Sequence, residues 1–147
     1  MNKQGIIDVF ERTYKNDGFP PLAGKVVGFF YVTDTKYIGF QDIVKGVGAS
    51  KGAVSKVLKI LIGLYRINSI DHPNDNRKRL YYLDTENLIK FLEIVINNYR
   101  EQSDLLHAVL KIRTEENQEM NDFIERSIAF NDEMLNFLDE KSKKYFT

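Results

Sequence analysis

The sequence predicts a mainly α fold: two short helices joined by a tight turn, a small β-hairpin wing behind them, and long helices at both ends. Three observations predict it. Phe40–Leu64 carries two short apolar stripes separated by Gly46-Val47-Gly48-Ala49. Ile67–Asp84 reads as two strands around Pro73-Asn74-Asp75-Asn76, four turn-forming residues in a row. From Thr85 onward, apolar residues recur at intervals of three and four along two tracts far longer than the central pair.

The ends and the size of the chain come first. At 147 residues and 43% hydrophobic content, it is sized for one domain with a proper core and does not have the composition of a disordered chain. Residues 1–147 therefore read as a single domain with three parts: N-terminal packing helices over 1–38, the central unit over 39–84, and C-terminal dimerisation helices over 85–147. Ile6, Val9, Phe10 and Tyr14 lie at helical spacing and predict a first helix over about Lys3–Lys15. Asn16-Asp17-Gly18 stops it, and Pro20-Pro21 starts a second helix that runs to Val32. Gly24 and Gly28, four apart, line one side of that helix for close packing on a neighbour. Tyr37–Phe40 is a short strand candidate.

The central pair is the most informative stretch. Gln41–Lys45 predicts a short helix with Ile43 and Val44 inward, and the glycines after it suit a turn. Ser50 is placed as an N-cap. Val54, Val57, Leu58 and Leu61 then form a core stripe, while Gly52, Ser55, Lys56 and Lys59 lie on the opposite face and Lys51 at the N-terminal corner. Gly52 sits on an exposed first turn, where glycine costs about 1 kcal/mol relative to alanine. Close approach of this backbone to something else is a reason to keep it. Gly63 is placed as the C-cap, with Leu64 and Tyr65 returning to the core.

Charge separates along the chain. The net charge is zero, yet Phe40–Tyr82 carries eight Lys/Arg against three acids, while Glu115–Glu140 carries nine acids against one Arg. A basic middle and an acidic tail give a surface for nucleic acid and one that repels it. Arg77-Lys78-Arg79 on the second wing strand fits phosphate contact; its plainer reading is a solvated edge kept from aggregating.

Other classes are less favoured. Without Cys there are no disulfides, no thiol catalysis and no cysteine zinc site. His72 and His107 stand far apart, and the acids read as solvated helix faces, so neither an enzyme nor a bound cofactor or metal is expected. The longest apolar run, Val26–Val32, is far short of the roughly 20 residues of a membrane helix. The N-terminus lacks a secretion pattern, so the chain is expected in the cytoplasm, without membrane contact. A winged module for protein contact is the runner-up, but such modules expose apolar residues where this chain has lysines.

With these features in hand, the chain resembles the MarR superfamily of winged helix-turn-helix regulators, and more narrowly its GbsR-type branch. The residues that carry the resemblance are Gly24-Lys25-Val26-Val27-Gly28, the stretch GASKGAVSKVLKIL over Gly48–Leu61, Gly63-Leu64, and Asp75-Asn76-Arg77 ahead of Leu83-Asp84. It implies a homodimeric, ligand-responsive transcriptional regulator, usually a repressor, that binds a pseudo-palindromic double-stranded DNA operator. It places Ser50, Lys51, Gly52, Ser55 and Lys56 at the major groove and Arg77 at the minor groove. Lys59, Asn76 and Lys78 complete the candidate set, with Arg79 beside them on the backbone. The apolar faces of the terminal helices exceed what the central unit can cover, and a second copy is the simplest cover. A small-molecule effector is a further candidate partner. Phe29, Phe30, Tyr31, Tyr81 and Tyr82 are candidates to line its pocket, or else simply core.

Overall fold

The computed structural model describes all residues, Met1–Thr147. They form two compact units, Met1–Leu88 and Ile89–Thr147. Within the first, α1 (Lys3–Asn16) and α2 (Pro21–Val32) precede a short strand β1 (Ile38–Gly39). Then come α3 (Phe40–Val47), α4 (Lys51–Gly63), β2 (Ile67–His72), β3 (Asp75–Leu83) and the start of α5 (Thr85–Ile112). The second holds the rest of α5, a 3-10 turn at Glu115–Asn117, and α6 (Gln118–Phe146).

Asn2 caps α1 by accepting from the Gly5 N–H at 2.8 Å. Past its end, Gly18 takes the left-handed conformation at φ 87°. The buried residue of α1 is Ile7, one place off the expected stripe, while Phe10 and Tyr14 pack half-buried on the core. The Gly24/Gly28 pair sits where α2 meets α1. A Cβ on Gly24 would come within 2.8 Å of Glu11 Cα, and one on Gly28 within 3.0 Å of Phe10 Cβ. The two helices are therefore close enough that only hydrogen fits between them.

The core of this unit gathers α2, α3, α4 and the sheet around Ala23, Val26, Val27, Ile43, Val54, Leu58, Leu61 and Ile67, each 2% exposed or less. The sheet has three antiparallel strands in the order β1-β3-β2. Ile38 pairs with Tyr81, and Ile67 with Leu83, the ladder running on to Asp71 opposite Arg79 before the register shifts at His72. Asp84 closes the wing and opens α5: one carboxylate oxygen accepts from the Asn68 side chain at 3.3 Å and the other from the Asn87 N–H at 3.1 Å.

Several expectations need correction. Gly46 and Val47 belong to α3, so the turn shrinks to Gly48-Ala49-Ser50. Gly46 is there for packing, since a Cβ on it would come within 2.9 Å of Phe29 Cδ2. Val47 is buried with Ile43, whereas Val44 is only half-buried. Asp75 and Asn76 are already in β3, which leaves Pro73-Asn74 as the tip. The end of α4 also differs. Gly63 is its last residue, and the left-handed residue is Tyr65, at φ 60°. There the Arg66 N–H donates to the Leu61 carbonyl at 3.0 Å and the Tyr65 N–H to the Ile62 carbonyl at 3.1 Å. These two bonds are a Schellman closure, with a tyrosine where glycine is usual. Tyr65 consequently points outward, 41% exposed.

In the second unit, α6 folds back along α5. Arg113 Nε donates to Asn121 at 2.7 Å, Ser103 Oγ lies 3.3 Å from Asp132, and Arg100 pairs with Asp139 at 2.6 Å. Ile124, Ile128 and Leu135 are buried along the same stretch of α6, and Ile96 is buried on α5 one turn before Arg100. No helix of the chain is long and apolar enough to cross a membrane.

Candidate nucleic-acid interface

The interface is built on how α4 is held. Gly48 ends α3 in the left-handed conformation (φ 66°), which reverses the chain in three residues. Ser50 follows in extended conformation, and its Oγ accepts from the Ala53 N–H at 3.2 Å. Its hydroxyl proton is left to donate outward. The N–H groups at the start of the helix gather a partial positive charge there.

Val54, Val57, Leu58 and Leu61 lie at 0–5% exposure and lock one face of α4 into the core. At 100° per residue, Gly52, Lys56 and Lys59 fall within an arc of roughly 60° centred opposite that stripe. All three are exposed, as is Lys51, and Ser55 is half-buried at the edge. None of the three lysines is within ion-pair distance of an acid of the chain. A Cβ on Gly52 would meet nothing within 4 Å. The helix therefore presents bare backbone flanked by free ammonium groups.

The wing adds a second set. Asn76, Arg77 and Lys78 are exposed on β3. Arg77, with its side chain 88% exposed, holds Asp75 through its Nε at 3.2 Å and its backbone N–H at 3.0 Å. Those bonds, the backbone one first, keep the Asp75 carboxyl below the usual aspartate range. Arg79 is engaged within the sheet: it pairs with Asp71 at 2.8 Å and donates to Ser69 Oγ at 3.0 Å. It stiffens the wing, and of the three successive cations Arg77 and Lys78 are the more available. Arg66 also turns inward, beside Tyr14, whose phenol is pushed up by burial and partly brought back by Arg66.

Between wing and helix pair lies a groove of about 680 Å³. Its walls are Gln41 and Asp42 of α3, Ser55 of α4, and His72, Arg77, Lys78 and Arg79 of the wing, with Tyr37 and Tyr81 at the back. His72, near the wing tip, is where the sequence offers a phosphate contact or plain exposure, whereas Gln41 and Tyr37 were not singled out as part of this surface. Gln41 and Tyr37 flank β1 and reach the groove through the pairing of β1 with β3, which spacing along the chain does not reveal. The nine candidates thus fall into two sets, Ser50 to Lys59 on α4 and Asn76 to Lys78 on the wing, and this groove joins Ser55 to Arg77 and Lys78.

The five aromatics considered for an effector pocket do not share one cavity. Phe30 is buried in the core, Phe29 packs on Gly46, and Tyr31 stacks outward on Phe10 at 5.3 Å. Tyr81 backs the wing groove, while Tyr82 meets Tyr37 edge-on at 5.3 Å with the Lys36 ammonium above both rings.

No protein-family model matches the chain, and neither does any curated protein. Among solved structures, it is similar to one described as a transcriptional regulator, with a TM-score of 0.71 over 97% of each chain at 17% identity. That similarity shows a shared winged-helix fold. A MepR–DNA complex from S. aureus gives a TM-score of 0.46 at 19% identity, covering 84% of this chain and 88% of that one. A MarR variant from E. coli gives 0.47 at 16% identity, covering 86% and 90%.

Proposed function

We propose that this chain is a sequence-specific, double-stranded DNA-binding transcriptional regulator of the MarR type, acting as a homodimer on a pseudo-palindromic operator. The observation that carries the reading is the surface of α4: Gly52, Lys56 and Lys59 lie opposite a fully buried stripe, free of ion pairs, beside a wing that exposes Arg77 and Lys78. The fold shared with a solved transcriptional regulator supports it.

In this reading α4 enters the major groove. Gly52 lets the helix backbone come close, and Lys56 and Lys59 reach bases or phosphates. Ser50, Ser55, Lys51 and the free N–H groups of the first turn hold a phosphate. Arg77 extends from the wing into the neighbouring minor groove, while Asn76 and Lys78 take the backbone. Two copies read half-sites about 34–36 Å apart. Repression, response to a small-molecule effector and the GbsR-type branch are the parts of the reading carried by the sequence resemblance alone.

Titration of the protein onto DNA from its own promoter region tests the reading. Footprinting should show two protected half-sites one helical turn apart. Uniform protection of any sequence, or none, refutes it.

A further inference from the structure

We propose that His72 couples DNA binding to pH, its ring taking up a proton when a phosphate enters the groove between wing and helix pair. The proposal rests on the DNA-binding reading above and adds a regulator to its wing. His72 is the last residue of β2, half-buried, and forms part of that groove's wall. The ladder slips here: the register shifts between Asp71 and His72, and His72 pairs with Asp75. The ring turns back on the tip, where Nδ1 accepts from the Asn74 N–H at 3.1 Å. An accepting ring nitrogen carries no proton, so this bond places the proton of the neutral ring on Nε2. No second group of the chain bonds the ring, and Nε2–H is left to donate outward.

Histidine is the side chain whose ordinary charge change falls between pH 5 and 8. A second proton arrives at Nδ1 and displaces the bond from Asn74. That loss is small, because the bond is exposed and water can accept from the Asn74 N–H instead. In return the ring becomes a cation with two donors. A hydrogen bond from such a donor to a phosphate oxygen is about twice as strong as a neutral one.

The charges facing the ring come close to cancelling, which leaves the phosphate to decide. On its own strand Asp71 is held by Arg79 at 2.8 Å, and on β3 Asp75 is held by Arg77 at 3.2 Å. Lys78 of β3 and Asp42 of α3 make no ion pair and oppose one another in sign. Tyr37 and Tyr81 complete the groove, and phenols are ordinarily neutral below about pH 10. With the protein's own charges balanced, an arriving phosphate favours the charged ring. The remaining histidine, His107, lies exposed on α5 and is no part of this groove.

Anisotropy on a labelled promoter fragment at pH 7.5 and pH 5.5 tests the coupling. Acid should tighten binding at fixed salt by about tenfold. Two added charges per dimer, at about 0.9 each, should steepen the salt slope by about 2. His72→Asn sets an oxygen acceptor close to the place of Nδ1 and stays neutral, so it should keep the shallower slope at both pH values. His72→Lys should show the steeper slope at both, and His107→Asn should behave as the parent. Calorimetry in two buffers of different ionisation enthalpy should find protons taken up on binding by the parent and none by His72→Asn. A parent slope equal at the two pH values, or a pH response that survives in His72→Asn, overturns the coupling and leaves the DNA-binding reading standing. Binding no tighter to the promoter than to any other sequence, at either pH, brings down that reading and the coupling with it.

Discussion

Replacing Lys56 with alanine tests the interface through its salt dependence. In the proposed reading each copy turns five exposed cations to the duplex: Lys51, Lys56, Lys59, Arg77 and Lys78. If all ten in a dimer neutralise phosphates, the logarithm of affinity should fall with the logarithm of salt at a slope of about −9. Removing Lys56 deletes two of the ten and should bring the slope to about −7. Between 50 and 200 mM salt, parental affinity should then fall about 10⁵-fold and that of the variant about 10⁴-fold. Fluorescence anisotropy on a labelled promoter fragment reads both slopes. Lys111→Ala, on an exposed position of α5, is the control and should leave the slope unchanged. A slope untouched by Lys56→Ala, or lowered equally by Lys111→Ala, refutes the assignment of α4 as the reading helix.

Other consequences are equally direct. Gly52→Ala should raise stability by about 0.5–1 kcal/mol in thermal unfolding, since the new Cβ meets nothing. Gly52→Gln should keep the fold yet weaken DNA binding measured by anisotropy, because a longer side chain fills the approach. Gly46→Ala should cost about 1–3 kcal/mol in denaturant unfolding, as its Cβ runs into the Phe29 ring. At the wing tip, the folded form depresses the Asp75 carboxyl. The order it adds is therefore present above the ordinary aspartate pKa and is lost as pH falls through the lower folded value. Carboxyl NMR should show this low midpoint, and Arg77→Ala should raise it only partway, because the backbone N–H bond at position 77 survives.

The helices of the first unit and the wing were legible because their signals are local. The stripe of Val54, Val57, Leu58 and Leu61 shows in spacing alone, and it places Lys56 and Lys59 opposite. Ser50 reads as a cap for the same reason. Errors arose where a residue's environment comes from far along the chain. Gly46 looked like a turn glycine because nothing nearby says that Phe29, seventeen positions earlier, lies against it. Arg79 looked as available as Arg77, since its partner Asp71 is brought alongside only by strand register. Gly63 drew the helix cap to itself because glycine is the usual left-handed residue, whereas the hydrogen bonds put that conformation at Tyr65.

Tyr65 has a consequence for how the two reading elements arrive at a duplex. It is the joint between α4 and the wing. A non-glycine residue there costs the fold on the order of 1–2 kcal/mol. A glycine would remove that cost but would give the joint many more accessible angles. The tyrosine thus exchanges some stability for stiffness. In the proposed reading, helix and wing are set in phase before contact, so binding does not have to supply the entropy of aligning them. Under that proposal the joint acts as a gauge block, setting how far apart along the DNA the major-groove and minor-groove contacts would fall.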